Sequence, residues 1–196
     1  MLLIQHGFLS PALCRDLIAG FQQVSETYEK ADDYVRRYEH RTSICGIAIK
    51  RAEIDGVSDQ ISEIRQRAAD ALRQFYDFAV PTHIDFTLAT EMRVGDCHPA
   101  HADSESCNDE GVWTANHTSY HYGAALLYLN NSGVDYEGGV LSFPCLEQEI
   151  TPQAGMLVGF MCDRNYQHEV TPVQQGRRYA ISIWVTRDAA HAEYWD

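Results

Sequence analysis

Positive charge is what this 196-residue chain has least of: 15 Lys and Arg stand against 28 Asp and Glu, a formal net charge of −13 with histidine neutral. Binding to a duplex or a phosphate backbone relies on Lys and Arg, so this balance argues against a nucleic-acid partner, and Arg36, Arg37 and Arg41 supply the one local basic cluster. Long apolar runs are missing as well. Met1-Leu2-Leu3-Ile4 meets Gln5 and His6 at once, without a signal-peptide core or cleavage pattern, and no stretch approaches the length of a membrane span. There is no C-x-x-C spacing: Cys14, Cys45, Cys97, Cys107, Cys145 and Cys162 are scattered, which disfavours a zinc ribbon. Reduced thiols and a cytoplasmic location are the expectation. Internal repeats and low-complexity segments are also lacking. What is there suits one domain over residues 1–196, with helical support and a flap over 1–81 and a β core over 82–190.

Ser10 followed by Pro11 reads as a helix start, because a Ser hydroxyl accepts from an orphan N–H and Pro is tolerated at the first helical position. Leu13, Leu17, Phe21 and Val24 follow at helical spacing. Residues 25–43 are polar and carry Tyr28, Tyr34 and Tyr38 among the three arginines; the segment is read either as a substrate-contacting flap or as a solvated connection. Ile44 to Ile49 reads as a short strand. A second helix lines up Val57, Ile61, Ile64, Ala68, Leu72 and Phe75 opposite Glu63, Arg67, Asp70 and Arg73, until Pro81 forbids continuation.

Beyond Pro81 the apolar period becomes two. Ile84, Phe86, Leu88, Thr90, Met92 and Val94 share one face of a strand, with Asp85, Thr87, Glu91 and Arg93 on the other. Further strands are expected at Tyr122–Leu129, Val140–Phe143, Met156–Met161 and Tyr179–Thr186. The turn signals between them (Asn130-Asn131-Ser132-Gly133, Gly138-Gly139, Gln175-Gly176) predict an antiparallel β domain.

The chemistry centres on His101-Ala102-Asp103. Residues two apart in an extended chain lean the same way, so His101 and Asp103 can share a cation. His168 would complete a two-His, one-carboxylate face that leaves about three of six octahedral positions open, as non-haem Fe(II) requires. His98, or the pair Asp96 and His98, is the local competitor. Ten residues after His168 comes Arg178, a permanent fork-shaped cation suited to a carboxylate. A regular strand there puts Arg178, Ala180, Ser182, Trp184 and Thr186 on one side and Tyr179, Ile181, Ile183 and Val185 on the other. Tyr122, Ala124, Leu126 and Tyr128 likewise share a face, which makes Tyr128 either a core tyrosine or a cosubstrate contact.

The runs His98-Pro99-Ala100-His101-Ala102-Asp103, Ala125-Leu126-Leu127-Tyr128-Leu129-Asn130, Glu137-Gly138-Gly139, His168-Glu169-Val170, Gly176-Arg177-Arg178-Tyr179-Ala180 and Trp184-Val185-Thr186 occur in an order that resembles 2-oxoglutarate/Fe(II)-dependent dioxygenases. Within them the likeness is to the prolyl hydroxylase superfamily, and especially to the leprecan-type prolyl 3-hydroxylase catalytic domain, over about residues 82–190. Gly7-Phe8-Leu9-Ser10-Pro11-Ala12-Leu13-Cys14 extends it weakly to the start.

The resemblance implies a mainly β fold with bracing helices around a double-stranded β-helix, a jelly-roll or cupin-like core. It implies Fe(II) on His101, Asp103 and His168, and 2-oxoglutarate held by Arg178 with Tyr128 and Ser182 as hydrogen-bonding helpers and Trp184 lining the pocket. Ascorbate is a further candidate cofactor. The expected reaction uses O2 to hydroxylate an unactivated C–H bond, with a carboxylate at Asp103 favouring hydroxylation over halogenation. The leading substrate is a proline ring, in a peptide or as a free or carrier-tethered amino acid, and the alternative is another amino acid or natural-product scaffold. The chain departs from the family pattern at His121, where the peptidyl enzymes commonly carry Arg, so substrate reading falls to His121, Trp113, the 25–43 segment and the 104–120 loop. That loop is either a lid or an inert insertion. Outside the class stand a catalytically silent binding barrel and, more weakly, a zinc hydrolase using His98, His101 and His168.

Overall fold

The computed structural model describes residues 1–30, 47–49 and 58–193. Among the described residues, two α-helices, α1 (Pro11–Lys30) and α2 (Ser58–Tyr76), accompany fourteen strands. In chain order these are β1 (Leu3–Gln5), β2 (Ile47–Ile49), β3 (His83–Met92), β4 (His98–His101), β5 (Glu105–Cys107), β6 (Trp113–Ala115), β7 (His121–Tyr128) and β8 (Tyr136–Gly138). They continue with β9 (Leu141–Phe143), β10 (Gln148–Ile150), β11 (Leu157–Met161), β12 (His168–Val170), β13 (Val173–Gly176) and β14 (Arg178–Thr186). Every named pairing is antiparallel. A six-stranded sheet runs β1-β11-β7-β14-β3-β2 and a four-stranded sheet runs β10-β9-β12-β4, with the hairpins β5-β6 and β8-β13 outside them.

The helices start and stop for local reasons. Ser10 Oγ accepts from Leu13 N at 3.2 Å, the expected cap of α1. In α2 the buried stripe is Ile61, Ile64, Ala68 and Leu72, with Phe75 half-buried against it. This helix ends before Pro81, because Asp77 takes the left-handed conformation (φ 47°) and Phe78 N reaches back to Arg73 O at 3.2 Å. Val57 and most of the expected flap, including Tyr34, Arg36, Arg37, Tyr38 and Arg41, lie outside the described residues.

Two apolar layers follow from the alternation of the central strands. Ala125 and Leu127 of β7 and Tyr179, Ile181, Ile183 and Val185 of β14 pack under α1 and α2. Ala124, Leu126, Tyr128 and Ala180, with Val158 and Phe160 of β11 in the same sheet, face the smaller sheet, where they meet Leu141, Phe143 and Val170. The predicted division of β14 therefore holds.

β3 follows the same alternation with its polarity reversed. Its polar face is the covered one: Arg65 of α2 donates to Thr87 Oγ1 at 2.7 Å, and Glu91 accepts from Arg93 Nε at 2.7 Å. Its apolar face, with Phe86, Leu88, Thr90 and Met92, lines the space between the sheets, and Phe86 is 44% exposed. Burial here is set by what a neighbouring helix covers, not by the hydropathy of the strand.

Candidate metal centre

The register between two short strands creates the site. β12 pairs with β4 so that His168 sits directly opposite His101, and Asp103 follows two residues beyond the end of that pairing. One ligand atom from each of the three lies within 4.8 Å of the others. Asp103 Oδ1 is 3.5 Å from His101 Nε2 and 3.9 Å from His168 Nε2.

The surroundings fix which atoms converge. His101 Nδ1 lies 2.8 Å from Pro99 O and His168 Nδ1 lies 3.1 Å from Tyr166 O. A carbonyl can only accept, so each ring carries a proton on Nδ1 and turns Nε2 to Asp103; burial pushes His101 down, but the Asp103 carboxylate outweighs it and pulls it up. On Asp103 the outer oxygen is taken: Trp184 Nε1 donates to Oδ2 at 3.0 Å and Cys162 Sγ lies 3.5 Å from it. Oδ1 is left for a cation. The backbone carbonyl of Asp103 accepts from Thr118 Oγ1 at 2.7 Å and Asn116 Nδ2 at 3.1 Å, so the 104–120 loop anchors the ligand.

Electrostatics suit a cation. Burial pushes the Asp103 carboxyl up, but His168, His101 and the Trp184 indole outweigh it and hold the group below the usual carboxylate range. Burial pushes His168 down to about 4, against the pull of Asp103, so its imidazole stays neutral with a lone pair to give. Two imidazoles and one carboxylate form an open face that fits a divalent transition metal such as Fe(II). His98 is not in the group. Its ring stacks on His101 with centroids 4.2 Å apart, and its buried Nδ1 has no partner.

Beside the triad lies a set of unsatisfied donors. Arg178 is 3% exposed, with its guanidinium 5.1 Å over the Tyr128 ring and one terminal nitrogen 3.1 Å from Met92 Sδ. Arg178 Nε, Tyr128 Oη and Tyr136 Oη are all buried without a partner. Burial pushes both tyrosines up, Tyr136 to about 12, so each keeps its O–H proton. One guanidinium nitrogen and two hydroxyls without acceptors are what a buried carboxylate would satisfy. Gly139 makes the room: at φ 59°, a Cβ there would lie 2.9 Å from Arg178 Cδ and 3.2 Å from Tyr136 Cε2. Asn130 sets the strand entry, donating to Arg177 O at 2.7 Å and accepting from Tyr179 N at 3.0 Å on either side of Arg178.

Of the sequence candidates, His101, Asp103 and His168 come together, Arg178 joins Tyr128, and Trp184 touches Asp103. Ser182 is half-buried on the same face of β14, between Arg178 and Trp184. His121 is buried and contacts Asp85 and Trp184. Trp113 is on the β5-β6 hairpin under the Arg164 guanidinium, 5.9 Å away. Tyr122 leaves its expected face: the pairing of β7 with β14 slips between Gly123 and His121, and the Tyr122 ring packs at a tilt against Phe78 on the helix side, with centroids 4.8 Å apart. Sequence reasoning missed Tyr136, Asn130, Cys162 and Asp85; for Tyr136, the adjacent Glu137-Gly138-Gly139 run was the available signal.

Comparisons with known proteins agree with this geometry. The chain is 26% identical over 223 residues to prolyl 3-hydroxylase 1 of Gallus gallus, covering 97% of this chain and 29% of that protein. It is 36% identical over 110 residues to prolyl 3-hydroxylase 1 of Homo sapiens, covering 52% of this chain and 14% of that protein. The chain thus spans less than a third of the length of these relatives. Among solved structures it shares its fold with a viral collagen prolyl hydroxylase from Paramecium bursaria Chlorella virus-1 in a 2OG complex (TM-score 0.65, 17% identity, 94% of each chain). A Pseudomonas putida prolyl-4-hydroxylase is similar as well (TM-score 0.64, 21% identity, 96% of this chain and 93% of that one). The sandwiched sheets are accordingly a double-stranded β-helix core. The family model for the 2OG-Fe(II) oxygenase superfamily matches residues 78–186, a span that includes all three candidate metal ligands and Arg178, and the chain belongs to that superfamily.

Proposed function

We propose that this protein is an Fe(II)- and 2-oxoglutarate-dependent dioxygenase that hydroxylates an unactivated C–H bond, most directly of a proline ring. One observation carries the reading: buried donors on Arg178, Tyr128 and Tyr136 lack an acceptor beside an open face of two imidazoles and a carboxylate. A dicarboxylic 2-oxo acid has the matching shape. Arg178 and the two hydroxyls would hold its distal carboxylate, and His101, Asp103 and His168 would hold the metal that takes its oxo-acid end.

Iron with 2-oxoglutarate supplies the oxidising power of O2 as the oxo acid is decarboxylated to succinate and CO2. The residues here do the rest. Trp184 and Cys162 turn Asp103 Oδ1 to the cation, the two backbone-bonded histidines present Nε2, and Arg178 fixes the far end of the cosubstrate. Ascorbate enters the reading as a reductant that keeps the metal ferrous.

The proline substrate is supported by the names of the similar proteins, prolyl 3-hydroxylases and prolyl hydroxylases. A small-molecule or peptide substrate is supported by the charge of −13, which disfavours nucleic acid. Free thiols at Cys14, Cys97, Cys107, Cys145 and Cys162 support a reducing, cytoplasmic setting. The test is succinate release from 2-oxoglutarate with Fe(II) and O2, in the presence of free proline, prolinamide and proline-containing peptides, with detection of a product heavier by one oxygen atom. Lack of any 2-oxoglutarate turnover in the iron-loaded protein would reject the reaction class.

A further inference from the structure

Two irregularities face each other across β14. On β3 the pairing passes from Phe86 opposite Trp184 to Ile84 opposite Val185, which leaves Asp85 out. On β7 it passes from Gly123 opposite Val185 to His121 opposite Thr186, which leaves Tyr122 out. An extra residue breaks the alternation of a strand and re-aims its side chains. As a result Asp85 and His121, on strands that are not neighbours, meet with Oδ2 2.8 Å from Nδ1. His121 stacks on Trp184 at 5.4 Å, and Phe86 stacks on Trp184 at 5.7 Å. Three rings form a platform that runs from Phe86, 44% exposed, to Trp184, which is bonded to Asp103.

Among the described residues, the Asp85–His121 pair offers two acceptor positions, with the Tyr120 ring edge-on to His121 at 4.9 Å. The Asp85 side chain has no exposed surface, and its Oδ1 has no partner. Burial pushes its carboxyl up, with His121 and more weakly His191 pulling it back. With the His121 ring neutral and its proton on Nδ1 directed at Asp85, Nε2 is an acceptor, and the Trp184 N–H is already committed to Asp103. What remains are a carboxylate oxygen, an imidazole lone pair and aromatic faces, a combination that recognises N–H groups and ammonium cations.

We propose that the Asp85–His121 pair and the Phe86–Trp184 platform recognise a hydrogen-bearing amine nitrogen of the substrate. The inference rests on the hydroxylase reading and narrows it. A free proline-like cyclic amine carries the required N–H, whereas the tertiary amide nitrogen of a proline inside a peptide has none.

The test titrates the Mn(II)- and 2-oxoglutarate-loaded protein, without O2, by calorimetry with L-prolinamide and with N-acetyl-L-prolinamide. The free amine is expected to bind at least about tenfold more tightly. Asp85→Asn, His121→Gln and Phe86→Ala should each shrink that preference; the last lies on an exposed position, so it keeps the test open if a buried variant does not fold. Equal or tighter binding of the acetylated compound overturns the inference, as does a preference unchanged in all folded variants. If neither prolinamide binds, the proline substrate is rejected, and the same free-versus-acetylated comparison with piperidine-2-carboxamide and L-lysinamide decides the amine assignment. No binding, or no preference, across those pairs overturns it. Failure of 2-oxoglutarate turnover with Fe(II) and O2 is a separate result, which rejects the hydroxylase reading itself.

Discussion

Trp184 donates its indole N–H to the outer carboxylate oxygen of Asp103 across 3.0 Å, and in doing so ties the cosubstrate strand β14 to the metal-binding turn after β4. Groups that orient a ligand from behind typically contribute about 10- to 100-fold in metal affinity. Trp184→Phe keeps the ring and removes the donor, so it should weaken Mn(II) binding by roughly 10-fold, with Cys162→Ala acting in the same direction and less strongly. Metal titration of the two variants and the double variant checks this. Unaltered affinity in all three would show that Asp103 is held by its backbone bonds alone.

The histidines separate by role. His101→Ala and Asp103→Ala should abolish succinate formation and stoichiometric metal uptake, since each removes one of the three candidate ligands that come together among the described residues. His98→Ala should still take up the metal, because the His98 ring stacks behind His101 and does not join the group. Metal content after dialysis distinguishes the two outcomes, and loss of metal in His98→Ala alone would reverse the assignment.

The donor set around Arg178 predicts selective loss of 2-oxoglutarate. Hydrogen bonds to charged groups contribute about 1.5–3 kcal/mol, so Tyr136→Phe should weaken 2-oxoglutarate by roughly 10- to 100-fold while metal binding persists. Arg178→Ala should cost more. Gly139→Ala should resemble Tyr136→Phe, because its Cβ would intrude on Arg178 and Tyr136 and the left-handed φ resists a side chain. Parallel titrations of Mn(II) and 2-oxoglutarate read the split; equal loss of both would mean a structural role.

Asp85 carries a pH signature. Burial raises its folded pKa above the ordinary carboxylate value of 3.8, with His121 offsetting part of the shift. A raised folded pKa means that the folded state binds the extra proton, so this stability is fully present below the unfolded pKa and is lost as pH rises through the folded one. Asp85→Asn removes that loss. Its melting temperature relative to the parent should therefore rise between pH 4 and pH 8, by roughly 2–4 °C for each ~1 kcal/mol relieved. A difference that is flat with pH would show that Asp85 does not titrate against burial.

Much of the site was legible because it is local. The His101-Ala102-Asp103 spacing, the Ser10 cap and the single-face placement of Arg178, Ser182 and Trp184 depend on helix and strand periodicity, which neighbouring residues set on their own. The type of metal site followed from residue chemistry and needed no coordinates. Periodicity could not say which face of β3 would be covered. Arg65 of α2 bonds Thr87 on the polar face, and the apolar face is left to line the cleft.

By itself, the sequence determined the candidate ligands His101, Asp103 and His168, a cation at Arg178 sharing a strand face with Ser182 and Trp184, and an antiparallel β framework with bracing helices. Tertiary structure decided the rest. It chose His101 over His98 by placing His168 opposite His101, and it assembled Tyr128, Tyr136 and Arg178 from three separate strands around Gly139. It also brought Asp85 to His121 through paired irregularities on either side of β14. Alternation is a property of one chain segment, whereas register, bulges and coverage are settled only when distant segments compete for the same hydrogen bonds and the same apolar surface.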